Sequence, residues 1–128
     1  MAIPIELLLI EDNPADAGLV RESLRSSPLP VNVTIAEDGE RALELLKSVD
    51  FKPSLVLLDL NIPRIDGLTL LERCAVKAAN VVVFCSSSMQ RDIDRALALG
   101  AKEYVQKPGD LQAYITAVCG IVEKWCGA

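Results

Sequence analysis

The chain has 128 residues, 51% hydrophobic and 24% charged, the size and balance of one compact domain and not of a disordered chain. Its formal charge is −5 and no stretch gathers enough lysine and arginine for a counterion-releasing face, so direct nucleic-acid binding is not expected. No apolar run nears the roughly 20 residues of a membrane span, and Glu6, Glu11 and Asp12 break the only N-terminal apolar stretch; neither a membrane anchor nor a signal peptide is expected, and the expected location is the cytoplasm.

Five runs rich in leucine, valine and isoleucine alternate with amphipathic segments of helical length. The first strand is predicted over Ile5 to Ile10, ending on Glu11-Asp12. Asn13 suits an N-cap and Pro14 the first helical position, so a helix begins there with Leu19, Val20 and Leu24 as its buried stripe. A strand over Val31 to Ala36 leads through Asp38-Gly39 into a helix with Ala42, Leu43 and Leu46 inward. The third strand, Leu55 to Asp59, precedes a turn at Pro63. Asp66-Gly67 then opens a helix with Leu68, Leu70 and Leu71 available for packing, Gly67 being read as an αL or close-packing residue. The fourth strand, Val81 to Ser86, runs into a serine-rich loop. There Ser88 is the expected N-cap of a helix from Gln90 to Leu99, stopped by Gly100. The last strand is Glu103 to Val105, and the last helix sets Leu111, Ile115, Val118, Val122 and Trp125 at core-facing spacings.

Continuous apolar strands alternating with helices predict an α/β fold with a parallel sheet covered on both faces. Right-handed crossovers then favour a flavodoxin-like (βα)5 three-layer sandwich of strand order 2-1-3-4-5, one domain over residues 1–128 with no output module. Ligands of such sheets bind at the carboxyl ends of the strands, at the switch point between strands one and three. Glu11, Asp12 and Asp59 are placed there, where each like-charged pair repels by roughly 1 to 4 kcal/mol. A hard divalent cation neutralises such a group, and Mg2+ typically takes one or two carboxylates plus phosphate. Lys107 closes strand five on the same edge, a point charge for Asp59 or for a phosphoryl oxygen. Cys74, Cys85, Cys119 and Cys126 show no metal-binding spacing and the chain has no histidine, so the cysteines are read as small buried hydrophobes and His-based catalysis is excluded.

At these residues the sequence resembles the receiver domains of two-component response regulators. The resemblance lies in Leu9-Ile10-Glu11-Asp12-Asn13, in Leu58-Asp59-Leu60-Asn61-Ile62-Pro63-Arg64-Ile65-Asp66-Gly67, and in Gly100 to Pro108, and it covers nearly the whole chain. It implies that Asp59 accepts a phosphoryl group and that Asp12, Asp59 and the main-chain carbonyl of Asn61 ligate Mg2+, with Glu11 closer in or acting through water. Lys107 would hold the phosphoryl group and Tyr104 would be an aromatic switch. The family keeps a threonine or serine where this chain has Cys85; either Ser86 reaches the phosphate instead, or Cys85 does so poorly. The implied donor is a sensor histidine kinase, and the output is contact with a downstream protein or onward phosphotransfer. A homodimer through the face of helix four, strand five and helix five is a further implication. The Glu-Asp-Asn-Pro-Ala-Asp opening is similar to that of small phytochrome-associated regulators. Such a protein is a phosphoacceptor with slow self-dephosphorylation, not an enzyme. Two alternatives stand beside it: a degenerate receiver serving only as an interaction module, suggested by Cys85, and a Mg2+-dependent aspartyl-phosphate phosphatase. The latter class carries its nucleophile on the first strand, whereas Asp59 ends the third.

Overall fold

A computed structural model describes residues 4–74 and 80–127. The elements, in chain order, are β1 (Ile5–Ile10), α1 (Pro14–Leu24), β2 (Val31–Ala36), α2 (Gly39–Lys47), β3 (Leu55–Leu58), α3 (Gly67–Cys74), β4 (Asn80–Cys85), α4 (Gln90–Ala98), β5 (Glu103–Gln106) and α5 (Leu111–Cys126). All neighbouring strands pair in parallel, in the order β2-β1-β3-β4-β5. The expected order holds.

The continuous apolar strands have a physical reason. Side chains alternate across the sheet, so one strand feeds two cores. Leu8, Ile10, Val56, Leu58, Val83 and Cys85 meet Ala42, Leu70, Leu71 and Ala96 of α2, α3 and α4 on one face. Leu7, Leu9, Leu55, Leu57, Val82 and Phe84 meet Val20 and Leu24 of α1 and Tyr114, Val118, Ile121 and Val122 of α5 on the other. The register aligns Ile10 with Leu58 and Cys85 with Gln106, which brings Glu11, Asp59 and Lys107 to one edge of the sheet.

Helix starts follow their caps. Asn13 Oδ1 accepts from the backbone N–H groups of Ala15 and Asp16, and Asp38 and Asp110 cap α2 and α5 in the same way. Gly100 adopts φ +113° just past α4, the left-handed stop that glycine permits. Three expectations need correction, and for Gly67 one of the two readings offered, close packing, holds. β3 stops at Leu58, β4 runs from Asn80 to Cys85 and β5 extends to Gln106, so Asp59 and Ser86 stand just beyond their strands. Met89, not Ser88, is the N-cap residue of α4; the Oγ of Ser87 takes the Met89 N–H, and the helix starts at Gln90 as expected. Leu111 is exposed, because the buried stripe of α5 starts at Tyr114, whose ring packs edge-on against Phe84 at 5.2 Å between centroids. Gly67 is a close-packing residue: a Cβ there would lie 2.6 Å from Leu60 Cα, and its φ is not left-handed. Of the cysteines, Cys85 is buried and Cys119 and Cys126 are half-buried; the side chain of Cys74 lies outside the described residues.

Gly67→Ala should therefore lower stability by about 1 to 3 kcal/mol through overpacking against the Asp59-Leu60 backbone. Gly18→Ala in α1, where nothing lies within 4 Å of the new methyl, should raise it by roughly 0.5 to 1 kcal/mol. Urea unfolding of both variants checks the pair.

Candidate functional site

The site is assembled at the carboxyl edge of β1, β3 and β5. The Asp59 N–H donates to Ile10 O at 3.0 Å and the Lys107 N–H to Cys85 O at 2.8 Å, so each side chain leaves the sheet immediately after a hydrogen-bonded position. At the centre is the Lys107 ammonium, which donates to Glu11 Oε1 at 2.6 Å and Asp59 Oδ2 at 2.9 Å. The lysine, glutamate and aspartate side chains are only 5%, 3% and 10% exposed. The second oxygen of Asp59 accepts the Asn61 N–H at 2.9 Å, so its carboxylate is tied at both ends and cannot rotate freely. Among the described residues, no buried side-chain nitrogen or oxygen is left without a partner.

These contacts set the charge states. Burial works against the Lys107 ammonium, but the hydrogen bonds to Glu11 and Asp59 outweigh it and hold its pKa above the ordinary lysine value. Burial pushes the Glu11 carboxyl up from its ordinary value, against the pull of Lys107 and with the repulsion of Asp59.

Of the expected carboxylates, Glu11 and Asp59 converge on Lys107, whereas Asp12 is exposed. Asn61 is exposed as well, in the loop after Asp59. Sequence reasoning missed Asp16, whose Oδ2 lies 3.3 Å from Lys107 Nζ. The available signal was the Asn13 cap, which fixes Asp16 in the first turn of α1 on the side of the site.

Among the described residues, no three Asp, Glu, Cys or His side chains gather closely enough to encircle a metal ion by themselves. The donor set nevertheless fits Mg2+, which takes few carboxylates and keeps its waters. Glu11, Asp12, Asp16 and Asp59 are opposed by one lysine, an excess of negative charge in a partly dry site that a divalent cation would relieve.

Cys85 ends β4 fully buried, its sulfur 3.0 Å from the Tyr104 hydroxyl. That hydroxyl donates to Ser87 O at 2.8 Å, and the half-buried Tyr104 packs against the same core cluster as Cys85. Ser86 is exposed, and its carbonyl accepts from Gln106 Nε2 at 3.1 Å. Burial, with Cys85 beside it, raises the Tyr104 phenol above its ordinary value.

A strand-order 2-1-3-4-5 sandwich with an aspartate behind β3, an acidic pair behind β1 and a lysine behind β5 defines a class of signalling domain. A family model, the response regulator receiver domain, matches residues 7–119, and the chain belongs to that family: it is a receiver domain of two-component signalling, a phosphoacceptor switch. Response regulator Rcp1 of Synechocystis sp. is 32% identical over 131 residues, covering 95% of this chain and 89% of Rcp1. The structure of the phosphorylated cyanobacterial phytochrome response regulator RcpA superposes with a TM-score of 0.88 at 32% identity, covering 96% of this chain and 94% of RcpA. The Mn2+-bound form of Rcp1 does so with a TM-score of 0.84 at 31% identity, covering 95% of this chain and 94% of Rcp1. Protein-glutamate methylesterase/protein-glutamine glutaminase 4 of Myxococcus xanthus is 36% identical over 108 residues, which is 82% of this chain but only 30% of that enzyme. The chain thus spans under a third of the methylesterase and nearly all of Rcp1. Among the described residues, no helix is long and apolar enough to cross a membrane.

The raised values of Lys107 and Tyr104 fix the sign of an alkaline effect. Each group is more protonated folded than unfolded, so its contribution is fully present below about pH 10 and is lost as pH rises through the folded value. Stability measured from pH 8 to 12 should fall, and Lys107→Met and Tyr104→Phe should each flatten the fall. In metal-free buffer at neutral pH, Lys107→Met should cost about 3 kcal/mol, because Glu11 and Asp59 lose their buried cation. Tyr104→Phe should cost about 1 kcal/mol for its lost hydrogen bonds.

Proposed function

We propose that Asp59 is the phosphoacceptor, that the donor is a phosphohistidine of a sensor kinase, and that Mg2+ is the metal used. The observation that carries this reading is the buried contact of Lys107 Nζ with Asp59 Oδ2 at 2.9 Å, beside Glu11 at the sheet's switch point. An Asp59 carboxylate oxygen bonds to phosphorus as the P–N bond to the donor imidazole breaks, and the electron pair leaves with the imidazole. Such transfer needs little covalent work from the protein; positioning and charge neutralisation dominate. The Asn61 N–H orients the carboxylate, and Lys107 exchanges a carboxylate oxygen for a phosphoryl oxygen. Mg2+, when bound, neutralises charge on the phosphoryl oxygens; Asp12, Asp59 and the Asn61 carbonyl would hold it, with Glu11 behind. Water later hydrolyses the acyl phosphate, so the chain resets itself slowly without acting as an enzyme on a separate substrate.

Transmission would pass from Cys85 or Ser86 to Tyr104. The buried Cys85 and the exposed Ser86 divide the role between a weak donor in place and a good donor outside it. The output surface in this reading is the α4-β5-α5 face, for a downstream protein or a second copy, and Leu97 of α4 and Leu111 of α5 are exposed hydrophobics on its elements. The acidic charge supports output through protein contact and not through nucleic acid, within the cytoplasm.

Incubation with acetyl phosphate and Mg2+ should yield an acid-stable, base-labile adduct on the wild-type chain and none on Asp59→Asn. Its absence from the wild type would leave an interaction module instead. Asp12→Ala should weaken Mg2+ binding about tenfold or more by titration; unchanged affinity would refute the metal site. Turnover of a small phosphate ester would favour the phosphatase alternative.

A further inference from the structure

A lysine ammonium has three N–H donors, and three carboxylates stand within reach of Lys107 Nζ: Glu11 at 2.6 Å, Asp59 at 2.9 Å and Asp16 at 3.3 Å. Asp16 is held there by a closed circuit of hydrogen bonds. Glu11 uses one oxygen on Lys107 and accepts the Asn13 N–H on the other at 3.2 Å. Asn13 Oδ1 accepts the Asp16 N–H at 3.2 Å, and the Asp16 carboxylate returns to Lys107. In a capping box, the acidic side chain three places after the cap turns back to the cap's own N–H. Here Glu11 already occupies that N–H, which leaves the Asp16 carboxylate to Lys107.

We propose that Asp16 is a positioning residue that acts through Lys107, holding part of its positive charge back from the phosphoryl group on Asp59. The inference rests on Asp59 being the phosphoacceptor. The Asp16 side chain is 29% exposed, against 3% for Glu11, so it is the competitor on the solvent side. A carboxylate in contact with the ammonium offsets potential that would otherwise fall on the phosphoryl oxygens, where the transition state needs it. The ordinary role of an acidic residue in a first turn, complementing the helix dipole, adds under about 1 kcal/mol of stability and gives no reason for a change in rate.

The test uses the full chain, acetyl phosphate and Mg2+, with the initial rate of Asp59 adduct formation read at low salt and at about 1 M, where the Debye length is about 3 Å. Asp16→Asn keeps an acceptor oxygen and removes the charge. The rate should rise about three- to tenfold and the rise should survive high salt, because a contact is screened far less than a long-range field. Asp16→Ser should act in the same direction, and Asp16→Glu should return the rate toward wild type. Both uncharged variants should unfold within about 1 kcal/mol of the wild type. An unchanged or slower rate overturns the inference. So does a rise that vanishes in high salt, which would belong to general repulsion of the anionic donor. If the wild type forms the adduct and Asp16→Asn does not respond, the inference fails alone. If the wild type forms none, the phosphoacceptor reading fails and takes the inference with it.

Discussion

A lysine ammonium removed from water loses hydration worth several kcal/mol, and so does a carboxylate. Lys107 and Glu11 are both almost fully buried, and neither could stay charged there alone. Each is tolerable because the other is present, with Asp59 as third member. The three arrive from the ends of β5, β1 and β3, which are distant in sequence and share one edge, with β4 between β3 and β5, only when the sheet has its observed order. The ion cluster therefore depends on the fold, and the fold's carboxyl edge depends on the cluster for its electrostatic balance.

The balance is deliberately incomplete in charge. Glu11 and Asp59 already exceed the single lysine, and Asp16 and Asp12 add to the excess toward solvent. Such an edge would suit a divalent cation and, with that charge met, an anion. The platform beneath is rigid, since β3 is buried along its length between two cores and the loop after Asp59 is pinned against Gly67. A fixed carboxylate beside exposed side chains suits a group that is held still at the surface.

Much of this was legible in the sequence. Short strand runs, three of them almost wholly apolar, punctuated by Asn13, Asp38 and Gly100 allow few other arrangements, and the parallel order follows from chirality. Glu11, Asp59 and Lys107 were legible because strand ends in such sheets converge. Asp16 was not: its partner lies 91 residues away, and the contact exists only because Glu11 captures the Asn13 N–H. The bounds of β1 and β2 match the apolar runs, whereas those of β3, β4 and β5 differ by a residue because hydrogen-bond pairing, not hydrophobicity, decides them. Leu111 fits the helical spacing of α5 yet lies in the first turn, short of the core, a distinction that periodicity does not contain.

The Cys85, Tyr104 and Ser87 contacts bear on how this chain could move. The phenol ties the end of β4, the β4–α4 loop and β5 into one unit, so the ring swings outward only by giving up both contacts. An outward ring leaves the buried Cys85 thiol only its longer contact with Ser87 O at 3.8 Å and costs the Ser87 carbonyl its phenol donor, a penalty on the order of 1 to 3 kcal/mol. That amount corresponds to a ratio of roughly five to more than a hundred between inward and outward populations. A thiol in place of a hydroxyl gives a softer catch, and a partner that prefers the inward ring would find much of the population already in the shape it needs.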